Sequence, residues 1–168
     1  GITYHLSSEQ NIYASAALSH REPTRVDLLN GFTLNGGNIG ELRGDTPFNP
    51  ERVIDYELGY RLGYQMLALN INAFYMDFTD EITPIGEAND FGSLRRRNIA
   101  ESYRAGIETS WTYKPLDYIT LSGNLTWMQT DISEFTLVDT QYESKEHILT
   151  PTWIGGATAM FDISAWSN

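Results

Sequence analysis

The 168-residue chain contains no cysteine, which excludes disulfide bonds and thiolate chemistry. It has no uninterrupted run of about 18 apolar residues, so a transmembrane helix is excluded as well. Basic residues are few, since 11 Lys and Arg stand against 22 Asp and Glu, and the net charge is -11. Nucleic acids are bound by basic surfaces, and this charge argues against a nucleic-acid partner. No signal peptide is recognisable after Gly1, which for an exported protein predicts a mature chain or a fragment.

Hydrophobicity alternates from one residue to the next in several long segments. Within residues 53–64, every even-numbered residue is apolar or aromatic, whereas most odd-numbered residues are charged or glycine. Side chains repeat every two residues in a strand and every 3.6 residues in a helix, so this pattern predicts a strand. Similar alternation predicts strands at residues 99–113 and 118–131, and in weaker form at 2–6, 12–19, 67–78 and 153–163.

The connections between the seven predicted strands alternate in length. Residues 7–10, 64–66 and 114–117 form short turns, whereas residues 20–52, 79–98 and 132–150 form long polar loops. Outer-membrane barrels carry short turns at one rim and long loops at the other. Aromatic residues near both ends of the strands suit the two interfaces between water and lipid. We therefore predict an all-β, antiparallel up-and-down meander of about seven long strands, a fragment of a transmembrane β-barrel.

One face of this meander is predicted to contact lipid, and the predicted lipid-facing residues are Ile54, Leu58, Leu62, Ile107, Leu121 and Leu125. Bacterial single-chain barrels have an even number of strands, and unpaired edge groups in lipid cost several kcal/mol each. Seven strands are therefore expected to be part of a longer protein.

Several segments resemble the C-terminal barrel region of TonB-dependent outer-membrane receptors, in a form similar to those of Bacteroidetes-like bacteria. The segments are NIYAS at residues 11–15, HREPT at 20–24, NPERVIDYELG at 49–59, AFYMDF at 73–78 and SYRAGIE at 102–108. The resemblance implies a 22-stranded barrel with an N-terminal plug and a TonB box. By this interpretation residues 1–168 are a partial receptor barrel, and the plug domain and the final strands lie outside them.

Polar side chains on the face opposite the lipid are predicted to line the barrel lumen, where they would contact the plug or water. The predicted lumen-facing residues are Asp55, Glu57, Arg61, Asn70, Asn72, Arg104, Glu108 and Asn124. Structural hydrogen bonding is their expected role, and a translocation path is the alternative.

Ligand contacts are predicted in the longest loop, residues 20–52, because loops held on a rigid wall concentrate recognition residues. Phe32, Leu34, Arg43 and Phe48 offer contacts to an apolar or anionic ligand, although a loop that merely covers the pore is the alternative. The one basic run, at residues 95–97, is predicted to lie in a loop as a solvated or salt-bridged segment, with an anion site as the alternative.

Catalytic and metal sites are not expected. Asp55 and Glu57 are two residues apart on one strand face, about 7 Å, and no nucleophile or oxyanion donor converges on them. His5, His20 and His147 lack the spacing of zinc ligands. The sequence therefore predicts no enzyme, no metal and no cofactor.

The resemblance implies an active transport receptor in the Gram-negative outer membrane. It would take up a scarce small molecule, such as an iron-siderophore complex or a cobalamin-like molecule, with energy supplied through TonB. Its expected partners are the TonB complex, reached through the plug, and outer-membrane lipid and lipopolysaccharide. Two alternatives stay open, namely a passive porin-like barrel and a soluble β-sandwich binding module.

Overall fold

Eight strands form one sheet in the computed structural model, which describes residues 1–24, 27, 48–88, 94–137, 140–145 and 150–162. The strands are β1 (Ile2–His5), β2 (Gln10–Arg21), β3 (Glu51–Gly63), β4 (Leu67–Ala88), β5 (Leu94–Leu116), β6 (Ile119–Leu137), β7 (Thr140–Lys145) and β8 (Trp153–Phe161). Within the described ranges, no helix is long and apolar enough to cross a membrane.

The strands pair in sequence order from β1 to β6, and every pair is antiparallel. Strand β6 has two partners on the same side, because its outer part pairs with β7 and its inner part pairs with β8. Tight turns join β1 to β2, β3 to β4 and β5 to β6, all at one end of the sheet. The predicted antiparallel meander is confirmed, and β7 is an additional short strand beside it.

Three strands are longer than the alternation predicts. Residues 79–88 and 94–98 continue β4 and β5, and β6 runs on to Leu137, where it forms a hairpin with β7. These residues were predicted as loops because they are rich in Asp, Glu, Asn, Gly and Pro. Alternation marks a strand with one buried face, whereas in this extension the neighbouring residues Glu81 and Ile82 are both buried. The basic run at residues 95–97 accordingly lies in β5 and not in a loop.

The register separates the side chains into two faces. One, the apolar face, carries the six residues predicted to contact lipid, and the row Leu58–Ala73–Ile107–Trp127 is its centre. Leu58 is 58 % exposed on this face. A soluble monomer rarely leaves so broad an apolar surface uncovered. The opposite side, the polar face, carries the charged and amide side chains.

The buried core lies at the long-loop end of the sheet, away from its centre. Phe78, Ile82, Ile99 and Ile132 are the buried apolar side chains of the described residues. They come from β4, β5 and β6, near the level where β3 begins. The centre of the sheet buries little, because a barrel wall meets lipid on one side and the lumen contents on the other.

Candidate functional site

The polar face is built of rows that cross the strands. One row runs through Asn11, Arg61, Asn70, Ser110 and Asn124, which the register places side by side. A shallow hollow of about 690 Å³ covers this row near the turn end of the sheet. Its lining is mostly small or neutral polar residues, and Arg61 is the charged group among them.

All eight residues predicted to face the lumen occupy the polar face. Asp55, Glu57 and Arg61 come from β3, Asn70 and Asn72 from β4, Arg104 and Glu108 from β5, and Asn124 from β6. Their common face follows from their register, since directly paired residues point to the same side of a sheet.

Arg61, Tyr13 and Asn72 form a connected group on this face. The Arg61 guanidinium carbon lies 4.2 Å from the centroid of the Tyr13 ring. The Tyr13 hydroxyl donates a hydrogen bond of 3.0 Å to Oδ1 of Asn72, which is buried. The ring thus bridges a cation on one strand and an amide two strands away, and it holds both in place.

Other polar atoms on this face have no hydrogen-bond partner among the described residues. Ser15 donates a hydrogen bond of 3.0 Å to Glu57, but Oδ1 of Asn11, of Asp55 and of Asn70 are buried and lack one. Buried oxygen atoms in proteins are normally hydrogen-bonded. This face is therefore built to meet donors from water or from another segment.

A second cluster lies higher on the polar face, toward the long loops. Glu81 accepts hydrogen bonds from Ser102 and from Arg104, and the guanidinium of Arg104 lies 4.5 Å from the centroid of the Phe78 ring. By strict alternation Glu81 would point the other way. Asp80 has a φ of 55°, a left-handed conformation that is uncommon for residues other than glycine. This local change of direction explains how Glu81 reaches the polar face.

Asp27 forms the third cluster, beside the first residues of the β2–β3 connection. Its side chain is 1 % exposed and accepts hydrogen bonds from the Thr24 amide at 2.8 Å and the Thr24 hydroxyl at 2.7 Å. Arg96 of β5 lies 3.3 Å from the other carboxylate oxygen, and Arg21 of β2 lies 3.8 Å away. Burial raises the pKa of Asp27, but the Thr24 hydrogen bonds and the two arginine charges outweigh it and hold that pKa below its ordinary value.

Arg21 and Glu51 connect this cluster to β4. Glu51 pairs with Arg21 at 3.1 Å and accepts the amide of Ile82 at 2.9 Å, while Arg21 also donates to the Ile82 carbonyl at 3.0 Å. Beside them, Asn49 and Asn98 form a reciprocal pair, and each also bonds to Asp80. Charges and amides from four strands and one connection therefore meet at the outer end of the sheet.

Of the residues predicted to bind a ligand, Phe32, Leu34 and Arg43 lie outside the described residues, and Phe48 is half-buried. Asp27, Glu51, Asp80 and Glu81 are not among the residues predicted to bind a ligand or to face the lumen. Arg21, Thr24 and Glu51 do fall within the HREPT and NPERVIDYELG segments. Their pairing was not predictable, because 30 residues separate Arg21 from Glu51.

Metal chemistry finds no support in the described residues, where no group of three His, Asp or Glu side chains could hold an ion. The polar face instead consists of hydrogen-bonding groups and ion pairs that suit contact with another surface or with a small molecule.

Solved structures of similar fold come from several bacteria. The ferric-catecholate import receptor Fiu from E. coli K12 is 21 % identical over 95 % of this chain and 21 % of its own, with a TM-score of 0.64. The ferric enterobactin receptor PfeA from Pseudomonas aeruginosa, a mutant solved with enterobactin, is 16 % identical over 95 % of this chain and 24 % of its own, with a TM-score of 0.63. The ferric yersiniabactin uptake receptor FyuA from Yersinia pestis is 18 % identical over 94 % of this chain and 21 % of its own, with a TM-score of 0.61.

This chain therefore spans about a fifth of the length of these receptors. A comparison with curated protein sequences gave no match. The family model described as TonB dependent receptor-like, beta-barrel, matches residues 1–168. The resemblance predicted from the sequence segments is thereby confirmed, whereas the similarity to receptors of Bacteroidetes-like bacteria stays a prediction. The chain belongs to the TonB-dependent receptor β-barrel family and is part of the wall of a barrel in the Gram-negative outer membrane.

Proposed function

We propose that the parent protein is an active transport receptor that takes up a scarce small molecule across the outer membrane, with energy supplied through TonB. The observation that carries this proposal is the two-faced sheet, together with the family match over residues 1–168. The apolar face meets lipid and outer-membrane lipopolysaccharide, whereas the polar face lines the lumen. A receptor of this kind binds and moves its ligand without covalent chemistry, so it is not an enzyme.

The polar face supports the proposal that a plug domain, encoded outside residues 1–168, occupies the lumen. Three of its buried oxygen atoms have no hydrogen-bond partner in the part of the chain that the structure describes, and the hollow over Arg61 is lined by groups that donate and accept hydrogen bonds. A plug surface or the water around it supplies the missing donors. The eight polar residues of this face thus hold the plug in register, and they belong to the translocation path once the plug rearranges.

An iron chelate is the ligand class that we propose first. The solved structures of similar fold include receptors named for ferric catecholates, ferric enterobactin and ferric yersiniabactin, and also a copper transporter. Such chelates are anionic or partly aromatic, and Arg43, Phe32, Leu34 and Phe48 of the β2–β3 connection are matched to them in chemistry. A cobalamin-like molecule is the other ligand class of the proposal.

Deletion of residues 35–45 in the full-length receptor tests the role of this connection. Whole cells that display the variant at the normal surface level are expected to bind a panel of ferric siderophores at least about tenfold more weakly. Unchanged affinity for a chelate that the wild-type cells bind would make the connection only a cover over the pore.

Uptake of the same ferric siderophores by cells with and without TonB separates active from passive transport. Accumulation that stops without TonB, while binding persists, supports the receptor proposal. Equal accumulation in both strains would instead indicate a porin-like barrel. Because ligand binding and energised uptake are measured separately, failure of one does not hide the result of the other.

A further inference from the structure

The hairpin formed by β4 and β5 extends well beyond the strands beside it. Strand β3 begins at Glu51, and its last pair with β4 is Arg52 with Thr79, whereas β4 continues to Ala88. We call residues 80–88 and 94–101 the outer ribbon. It covers roughly 30 Å of paired chain. Among the described strands, no third strand pairs with it, since the pairing of β5 with β6 ends at Ser102.

A two-stranded ribbon by itself is marginally stable in water, so the outer ribbon needs support from its surroundings. Its base receives that support from the β2–β3 connection and the strand ends that flank it. Glu51 and Arg21 bond to both backbone groups of Ile82, and Asn49 pairs with Asn98. Side chains at the ends of β2 and β3 thus bond to Ile82 in β4, and Asn49 of the connection bonds to Asn98 in β5.

Asp27 makes the contact that reaches furthest along the ribbon. One of its carboxylate oxygens bonds to Thr24 within the connection, and the other pairs with Arg96, which lies opposite Pro84 in the ribbon. At 1 % exposure, the carboxylate depends on these partners, because a buried charge that loses its counter-ion is strongly destabilised. The Asp27 carboxylate therefore binds groups from two segments that are far apart in sequence.

We propose that Asp27 is a positioning residue that fixes Thr24, at the start of the β2–β3 connection, to Arg96 of the outer ribbon, so that these two segments move as one unit. A ligand that contacts either segment then shifts both. Only this last consequence rests on the proposed transport function, since the coupling itself is a property of the empty receptor. The competing interpretation is a local cap, in which Asp27 stabilises only the backbone around Thr24. The arginine contacts then do not connect the two segments.

Hydrogen exchange read by mass spectrometry on the full-length receptor in detergent, without ligand, distinguishes the two interpretations. Asp27→Asn is expected to speed exchange at least about tenfold both in peptides that contain Thr24 and in peptides that contain Ile82 and Asn98. Faster exchange confined to the Thr24 peptides would overturn the proposal.

Two further variants separate the cap from the coupling. Thr24→Ala removes the hydroxyl bond but keeps both arginine pairs, so it is expected to change exchange only near residue 24. Arg96→Gln keeps the hydrogen bonds between Asp27 and Thr24 but removes the ion pair between Asp27 and the ribbon. It is expected to speed exchange in the Thr24 peptides, although residue 96 is far away in sequence. If the Thr24 peptides of Arg96→Gln exchange at the wild-type rate, the proposal is overturned as well, even if Asp27→Asn does not fold.

Glu101→Gln is the matched control, because Glu101 is an exposed acidic residue on the same strand as Arg96 and has no described ion pair. It removes one negative charge and is expected to leave exchange unchanged in both segments. Exchange in the empty receptor does not depend on uptake, so a failure of the coupling and a failure of the transport proposal give different results.

Discussion

The ring of Tyr13 in β2 lies directly over Gly59 in β3, the residue with which it is paired. A Cβ atom at position 59 would overlap the ring, so only glycine leaves the space that it fills. Phe74 covers Gly106 in the same way on the next pair of strands. Aromatic rings packed over cross-strand glycines are a known means of stabilising a sheet. On the polar face they make a flat, rigid surface between the charged groups.

Gly106→Ala is expected to destabilise the full-length barrel by about 1 to 3 kcal/mol. The added methyl group would lie 2.7 Å from the Phe74 ring and would also overlap the backbone carbonyl of Trp127, which cannot rotate away. Gly63→Ala is the control, since nothing lies within 4 Å of its Cβ position. Urea unfolding in lipid vesicles measures both, and equal stability of the two variants would contradict the packing argument.

Leu125→Arg is expected to cost about 2 to 4 kcal/mol of barrel stability. Leu125 is 49 % exposed on the apolar face and lies well inside β6, so its side chain meets the hydrocarbon core. Leu121 is a poorer test, because it lies two residues after the start of β6, near the turn end. Asn124→Arg places the same charge on the polar face, and a similar loss there would refute the assignment of the two faces.

Tyr13→Phe is expected to cost about 1 to 3 kcal/mol, because it leaves the amide oxygen of Asn72 without its donor. Asn72 is 6 % exposed, so water cannot readily replace the lost hydroxyl. Tyr4→Phe serves as the control, since that side chain is 69 % exposed. A comparison of unfolding midpoints in urea decides the point, and equal midpoints for the two variants would show that water does satisfy Asn72.

The contribution of Asp27 to stability is expected to depend on pH. Its pKa is lowered in the folded receptor, so the stabilisation is fully present above the ordinary aspartate pKa of about 3.9 and is lost as the pH falls through the lower folded value. The charges facing it are Arg21 from β2 and Arg96 from β5, and Glu51 from β3 competes for Arg21.

Thermal unfolding of the wild-type receptor and of Asp27→Asn between pH 3 and 7 measures this contribution. The stability difference between them is expected to be constant at neutral pH and to shrink in the acid range. A difference that stays constant down to pH 3, or one that grows as the pH falls, would contradict the assignment.

The strands at the centre of the sheet were predictable because their determinants are local. In residues 53–64 the two-residue period specifies both the strand and the face that each side chain occupies. The turns at residues 7–10 and 64–66 then permit only antiparallel neighbours, and the observed register follows from them. The eight polar residues could accordingly be assigned to one face before any coordinates were known.

Residues 79–98 and 132–150, which hold most of the outer ribbon and β7, were predicted as loops because their side chains do not alternate. Alternation arises where one face of a strand is buried and the other is not, whereas the neighbouring residues Glu81 and Ile82 of the ribbon are both buried. The backbone pairing of Thr83 with Arg97 carries no signature in the side chains.

By itself, the sequence determined the fold class, the two faces of the sheet and the family, because each depends on repeated local patterns. Only the tertiary structure decided which charges meet. Asp27 and Arg96 are 69 residues apart, and their contact depends on the registers of β2, β3, β4 and β5 together. The Glu81 side chain points to the polar face because Asp80 has a left-handed conformation. A non-glycine residue adopts this conformation only where its surroundings hold it there.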